Sequence, residues 1–160
     1  MIDKRERVYQ AFGSFLSDFV RDLNDRSDDG WSLLVEGLRD QKALRRLGYE
    51  GSLVTVSQLG RSGATALGSA KKVIILTDLD REGTLLASKF VRKLKHDGLV
   101  TSLSERRRLK AGSRGVFLHI ENLARFAWQD AGGGESSIGY TPSTTYREDL
   151  GRFGGRATAK

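Results

Sequence analysis

Apolar residues recur at helical spacing from Lys4 to Asn24, as Val8, Phe12, Phe15, Leu16, Phe19, Val20 and Leu23, with charged residues between them. One stripe on a 3.6-residue period predicts an amphipathic helix whose Phe-rich face has to dock on something. A polar turn over 25–30 follows, and the period then changes. Trp31-Ser32-Leu33-Leu34-Val35 is a nearly continuous apolar run, the pattern of a buried strand, and it ends at Glu36-Gly37. Arg39 to Leu47 returns to helical spacing, with Ala43, Leu44 and Leu47 inward and Gly48 as the stop. Leu53 to Val56 predicts a second short strand. The Gly- and Ser-rich stretch 57–70 predicts a flexible loop with at most a helical turn at Ala64 to Leu67. Lys72-Val73-Ile74-Ile75-Leu76-Thr77 is the clearest strand, β-branched and covered on both faces.

Asp78-Leu79-Asp80-Arg81-Glu82-Gly83 leaves that strand, and a helix is predicted from Glu82 to His96. Leu86, Ala87, Phe90, Val91 and Leu94 fall on one arc of it, and Lys89, Arg92, Lys93, Lys95 and His96 on the other. Leu99 to Leu103 and Val116 to Ile120 predict two more strands on either side of the basic segment 105–114, and 122–128 a short closing helix. From Ala131 onward there are seven glycines and the chain's single proline, a composition that predicts a disordered tail. Strands alternating with helices, over crossovers too long for hairpins, indicate an α/β fold with a mainly parallel sheet flanked by helices. The expected organisation is an N-terminal helix over 1–28 packing on the core, a sheet domain over 29–130 and a tail over 131–160.

Composition then narrows the chemistry. The 160 residues contain no cysteine, which excludes disulfides, thiolate nucleophiles, Cys-ligated zinc and iron–sulfur clusters. Met1 to Arg7 is charged where a signal peptide needs an apolar core, and no apolar run approaches the ~20 residues of a membrane span, so a soluble, cytoplasmic protein is expected. The net charge of +7 is localised: residues 81–114 hold 10 Lys/Arg against 3 Asp/Glu, while 1–80 hold 12 of each and 115–160 hold 5 of each. A single basic block points to a polyanionic partner, RNA or DNA, with Arg81, Lys89, Arg92, Lys93, Arg106, Arg107, Arg108 and Lys110 as candidate phosphate contacts.

In parallel sheets ligands sit outside the carboxyl ends of the strands, and Glu36 and Asp78 end two of them. Two unit charges 4 Å apart repel by roughly 4 kcal/mol at an effective dielectric of about 20. Glu36, Asp78 and Asp80 therefore need a cation to stay ionised together in one crevice. Asp78 and Asp80 are two apart, on one face of an extended segment, and an all-oxygen set favours Mg2+ or Mn2+ over zinc. Asp80 ahead of Glu82 also fits an ordinary helix N-cap. Gly60-Arg61-Ser62-Gly63 fails both the Walker and the dinucleotide spacings. His119-x-Glu121 lacks the cysteine pair of a zinc deaminase. His96 and His119 read as surface or packing residues, and no tyrosine has a nucleophile's surroundings.

Leu33-Leu34-Val35-Glu36-Gly37-Leu38-Arg39-Asp40, then Val73-Ile74-Ile75-Leu76-Thr77-Asp78-Leu79-Asp80-Arg81-Glu82-Gly83, resembles the TOPRIM signature. That signature is a strand ending in Glu-Gly with an Asp three residues on, followed by a strand ending in Asp-x-Asp-x-x-Gly. The resemblance covers about residues 31–120 and is strongest to the short, stand-alone archaeal small primase-like TOPRIM proteins; the TOPRIM ribonucleases that mature ribosomal RNA are related. It implies a Rossmann-like sheet, Glu36 as general acid/base or metal ligand, Asp78 and Asp80 as magnesium ligands, and Asp40 at a second-metal position. Gly37 and Gly83 would let backbone approach phosphate or metal. No primase zinc module, topoisomerase tyrosine domain or ATPase accompanies it. The activity implied is metal-dependent phosphodiester chemistry on RNA or DNA, foremost a nuclease. The alternatives are a non-catalytic nucleic-acid-binding or scaffolding module in an RNA-processing or replication complex, and primase-like nucleotidyl transfer.

Overall fold

The computed structural model describes residues 2–127, so the expectations for Trp128 and for the tail over 131–160 lie outside the described residues. Four strands form one all-parallel sheet in the order β2-β1-β3-β4, with β1 at Trp31–Val35, β2 at Leu53–Thr55, β3 at Lys72–Ile75 and β4 at Val100–Ser102. Leu33 of β1 is in register with Leu53 on one side and Ile74 on the other. Helix α2 (Leu38–Arg46) joins β1 to β2, α3 (Val56–Ser62) and a 3-10 turn at Gly63–Leu67 carry the chain to β3, and α4 (Arg81–His96) joins β3 to β4. Helix α5 (Ser104–Ser113) and a 3-10 segment at Ile120–Phe126 complete the α/β fold, which α1 (Lys4–Asp28) precedes.

The strand alternation divides the core in two. Leu33, Val35, Ile74 and Leu76 face α1, α2, α5 and the final 3-10 segment through Leu16, Phe19, Leu44, Leu109 and Phe126. Leu34, Val54, Val73 and Ile75 face the opposite layer of Leu59, Leu67, Ala87, Phe90 and Leu94. Helix α1 shows which force fixes an element here. Its N-cap residue Asp3 makes no side-chain cap bond, whereas Leu16, Phe19 and Leu23 are fully buried, each contributing about 1.5–3 kcal/mol against the ~1 kcal/mol of a cap. Docking of the Phe stripe holds this helix.

Two expectations differ from the structure. The stretch expected as a loop begins with α3, because Thr55 and Gln58 form a capping box: the Thr55 hydroxyl accepts from the Gln58 N–H at 3.3 Å, and the Gln58 side chain accepts from the Thr55 N–H at 2.9 Å. Val116 to Ile120 is not a strand. Two of its apolar residues anchor to the core instead, Phe117 stacking on Phe12 at 5.1 Å and Ile120 buried, while Val116 and Leu118 stay exposed, and its Leu118 carbonyl and Ile120 N–H bond to the loop after β3 rather than to a ladder.

From β1 the chain moves outward to β2, and from β3 outward to β4, so β1 and β3 are neighbours whose connections diverge. Their carboxyl ends open the crevice where such sheets hold ligands. Among the described residues no helix is long and apolar enough to cross a membrane.

Candidate metal centre

Glu36 follows β1 and Asp78 follows β3, and the pairing of the two strands brings them into contact. The Asp78 N–H donates to Glu36 Oε1 at 3.0 Å, across 42 residues of sequence. Burial pushes the Glu36 carboxyl above the usual range, and the charges of Asp78, Asp40 and Asp80 push the same way, against the Asp78 hydrogen bond. Asp80 is the N-cap of α4, its Oδ1 accepting from the Gly83 N–H at 2.7 Å. A Cβ on Gly83 would collide with the Asp78 carbonyl, so this glycine lets the first turn of α4 close against the loop. The Thr77 hydroxyl donates to the Gly83 carbonyl at 2.7 Å and locks the same turn. At Gly37, by contrast, a Cβ would meet nothing within 4 Å, which leaves open space beside Glu36.

Arg106, expected at a phosphate, is a buried residue under this loop. Its Nε donates to the Thr77 carbonyl at 3.3 Å, and its Nη2 donates to the Asp78 carbonyl at 2.5 Å and the Thr84 hydroxyl at 2.9 Å. The reason is its position on α5, three residues from both Leu103 and Leu109, on the face that packs inward. Asp80, Glu36 and Asp78 lie near enough to favour its charge, opposing the burial that lowers its affinity for the proton. Arg108 is also engaged, pairing with Asp22 at 2.5 Å and lying over the Phe15 and Phe19 rings. Arg107 and Lys110 on α5, and Arg81, Lys89, Arg92 and Lys93 on α4, are exposed.

The segment just before the last 3-10 turn completes the centre. The Leu79 N–H donates to the Leu118 carbonyl at 2.6 Å, and the Ile120 N–H donates to Asp78 Oδ1 at 2.8 Å. His119, held between them, places Nδ1 at 3.1 Å from Asp78 Oδ2 and 3.9 Å from Asp80 Oδ2. The hydrogen bond to Asp78 raises the His119 imidazole above its ordinary value, and burial opposes the shift. Next along, the Glu121 backbone hydrogen-bonds Asp40. Asp40 is buried, and its Oδ2 accepts the Gly37 N–H at 3.0 Å in the first turn of α2. Burial raises its carboxyl above the usual range. Asp40 is therefore a capping carboxylate that ties α2 to the 118–121 segment, where the resemblance had implied a second-metal ligand.

Among the described residues, Asp78, Asp80 and His119 are the group whose donor atoms all lie within 4.8 Å of one another, and Glu36 and Asp40 stand outside it. Two carboxylate oxygens and an imidazole nitrogen, partly open to water, suit a divalent cation. The sequence reading set His119 aside. Its one available signal was the apolar pair Phe117 and Ile120 on either side, which anchors the segment in the core while Leu118 stays exposed.

No family model matches the chain. A UPF0292 protein of Pyrococcus abyssi is 37% identical over 99 residues, covering 61% of this chain and 74% of that protein. Another, from Methanosarcina barkeri, is 33% identical over 118 residues, covering 72% of this chain and 82% of that one. The chain belongs to the UPF0292 family. The Archaeoglobus fulgidus UPF0292 protein is 29% identical over 107 residues, 67% of this chain and 85% of that one. Among solved structures, a protein from Aquifex aeolicus superposes on this UPF0292 chain with a TM-score of 0.57 at 28% identity, over 66% of this chain and 95% of the other. Family membership places the UPF0292 chain among relatives; its chemistry has to be read from the crevice.

Proposed function

We propose that this chain is a TOPRIM-type module that cleaves phosphodiesters of RNA or DNA with Mg2+ or Mn2+, in a cytoplasmic RNA-processing or replication setting. The observation that carries the reading is the meeting of Glu36 with Asp78 and Asp80 at the carboxyl ends of two adjacent parallel strands. Asp78, Asp80 and His119 would hold the ion, which when bound supplies polarisation of a phosphoryl oxygen and a more acidic water. Glu36 is the proton carrier: burial and its carboxylate neighbours raise its affinity for the proton, the direction a general base or acid needs. The Asp78 N–H fixes one Glu36 oxygen, Oε1. Gly37 keeps the approach open for a phosphate. Lys89, Arg92 and Lys93 on the outer face of α4 offer sequence-independent phosphate contacts.

The test is incubation of the purified chain with labelled structured RNA, single-stranded DNA and duplex DNA, each with Mg2+, Mn2+ or chelator. Cleavage that needs the ion and is lost in Glu36→Gln and Asp78→Ala is expected. The second reading is a binding module without turnover. It is favoured by the structural bonds that Asp78 and Asp80 already make to Ile120 and Gly83, and it predicts retention of substrate with no product under every condition.

A further inference from the structure

The geometry points to His119 as a nitrogen ligand of the metal, giving the centre a preference for Mn2+ over Mg2+; this rests on the metal-centre reading above and extends it to the identity of the ion. Two donors on one octahedral ion with bonds of about 2.1 Å stand roughly 3 Å apart when adjacent and roughly 4.2 Å apart when opposite. The His119 nitrogen lies 3.1 Å from Asp78 Oδ2 and 3.9 Å from Asp80 Oδ2. The first matches the adjacent spacing, and the second comes within roughly 0.3 Å of the opposite one, so a small side-chain shift would seat both donors on one ion.

The fold fixes the backbone that carries the ring, and the ring then meets the two carboxylates. On one side the Leu118 carbonyl takes the Leu79 N–H, and on the other the Ile120 N–H is bonded to Asp78 Oδ1. Ile120 is 1% exposed, and Phe117 packs into the core against Phe12 and Phe126. The backbone on both sides of His119 is thus anchored. The His119 side chain itself stays 48% exposed, so water or a phosphate oxygen can reach the remaining positions around an ion held there.

Ligand chemistry sets the consequence. A purely carboxylate site suits Mg2+, which dehydrates reluctantly and takes oxygen donors, whereas an imidazole in the set shifts affinity toward the later first-row ions. Two oxygens and one nitrogen therefore favour a first-row ion such as Mn2+ over Mg2+. If His119 is only a cation paired with Asp78, the ring contributes charge and no bond to the metal, and the ion preference is that of carboxylates alone.

Pulsed electron paramagnetic resonance of the full chain loaded with Mn2+ separates these cases, because directly bound imidazole gives a 14N modulation. The expected result is 14N modulation in the wild type and its loss in His119→Gln. Calorimetric Mn2+ affinity in that variant is expected to fall by about tenfold or more, with a smaller change for Mg2+. Circular dichroism of His119→Gln should match the wild type. Mn2+ that binds, depends on Asp78 and shows no 14N modulation overturns the ligand role of His119 and leaves the metal centre standing. Absence of Mn2+ binding at millimolar concentration overturns both.

Discussion

Replacing Arg106 by Met removes one guanidinium while keeping most of the side-chain volume, so the change falls on hydrogen bonds rather than on packing. Three bonds are lost, to the carbonyls of Thr77 and Asp78 and to the Thr84 hydroxyl. Bonds from a charged donor contribute about 1.5–3 kcal/mol each. These three share one group and do not add, so the expected loss is about 3–5 kcal/mol, the size found when a buried charge's contacts are broken. At roughly 2–4 °C per kcal/mol for a chain of this length, the melting temperature should fall by roughly 6–20 °C. The assay is thermal and urea unfolding of the full chain followed by circular dichroism. Arg107→Met is the control: that residue is exposed, and its loss should stay within about 0.5 kcal/mol. Arg106→Lys keeps the charge without the planar fork and should fall between the two. A melting temperature for Arg106→Met within about 2 °C of wild type would refute the reasoning. The guanidinium would then have no structural hold on the loop and would be free to contact phosphate after all.

Gly83→Ala should be destabilising by about 1–3 kcal/mol in urea unfolding, because the new methyl meets the Asp78 carbonyl; a neutral result would mean the first turn of α4 is loose. In the salt dependence of nucleic-acid binding, removing Lys89, Arg92 and Lys93 together should flatten the log–log slope by about two to three units if all three neutralise phosphates, and an unchanged slope would free α4 of that role. The same experiment on Arg106, Arg107 and Arg108 would be confounded, since two of those three hold the fold. In metal-free protein, NMR titration should find His119 protonating above the ordinary histidine value, with Asp78→Asn bringing it down. The proton-linked stability from this pair is fully present below about pH 6.5 and is lost as pH rises through the raised native value. The wild type's advantage over Asp78→Asn should therefore shrink with increasing pH, and a constant difference would count against the pairing.

The sheet was legible because its strands carry continuous apolar runs, and the acidic crevice because Glu36 and Asp78 directly follow the two strongest of them. Pairing of β1 with β3 was enough to bring those carboxyls together. What escaped was information held in tertiary burial. Arg106 sits in a run of three arginines, and charge alone does not say which one faces inward; the flanking Leu103 and Leu109 at spacing three do. Val116 to Ile120 has the composition of a strand, yet only Phe117 and Ile120 find the core, Val116 and Leu118 stay exposed, and its backbone is taken by Leu79 and Asp78. The helix α3 was readable from Thr55 and Gln58, a local signal outweighed by the surrounding glycines and serines. His119 had no signal beyond its apolar flank, since nothing in the sequence shows that the fold brings two carboxylates beside a lone imidazole.

The contact between Ile120 and Asp78 spans 42 residues, and that separation orders events while the protein is being made. A ribosome delivers Glu36, Asp40, Asp78 and Asp80 long before it delivers residues 118–121. In the half-made chain Asp78 and Asp40 lack the backbone donors that Ile120 and Glu121 bring, and the imidazole is missing as well. The emerging polypeptide therefore carries the acidic residues without the neighbours that arrange them. The crevice is complete only when the final turn docks and brings the Ile120 N–H and the His119 ring to Asp78.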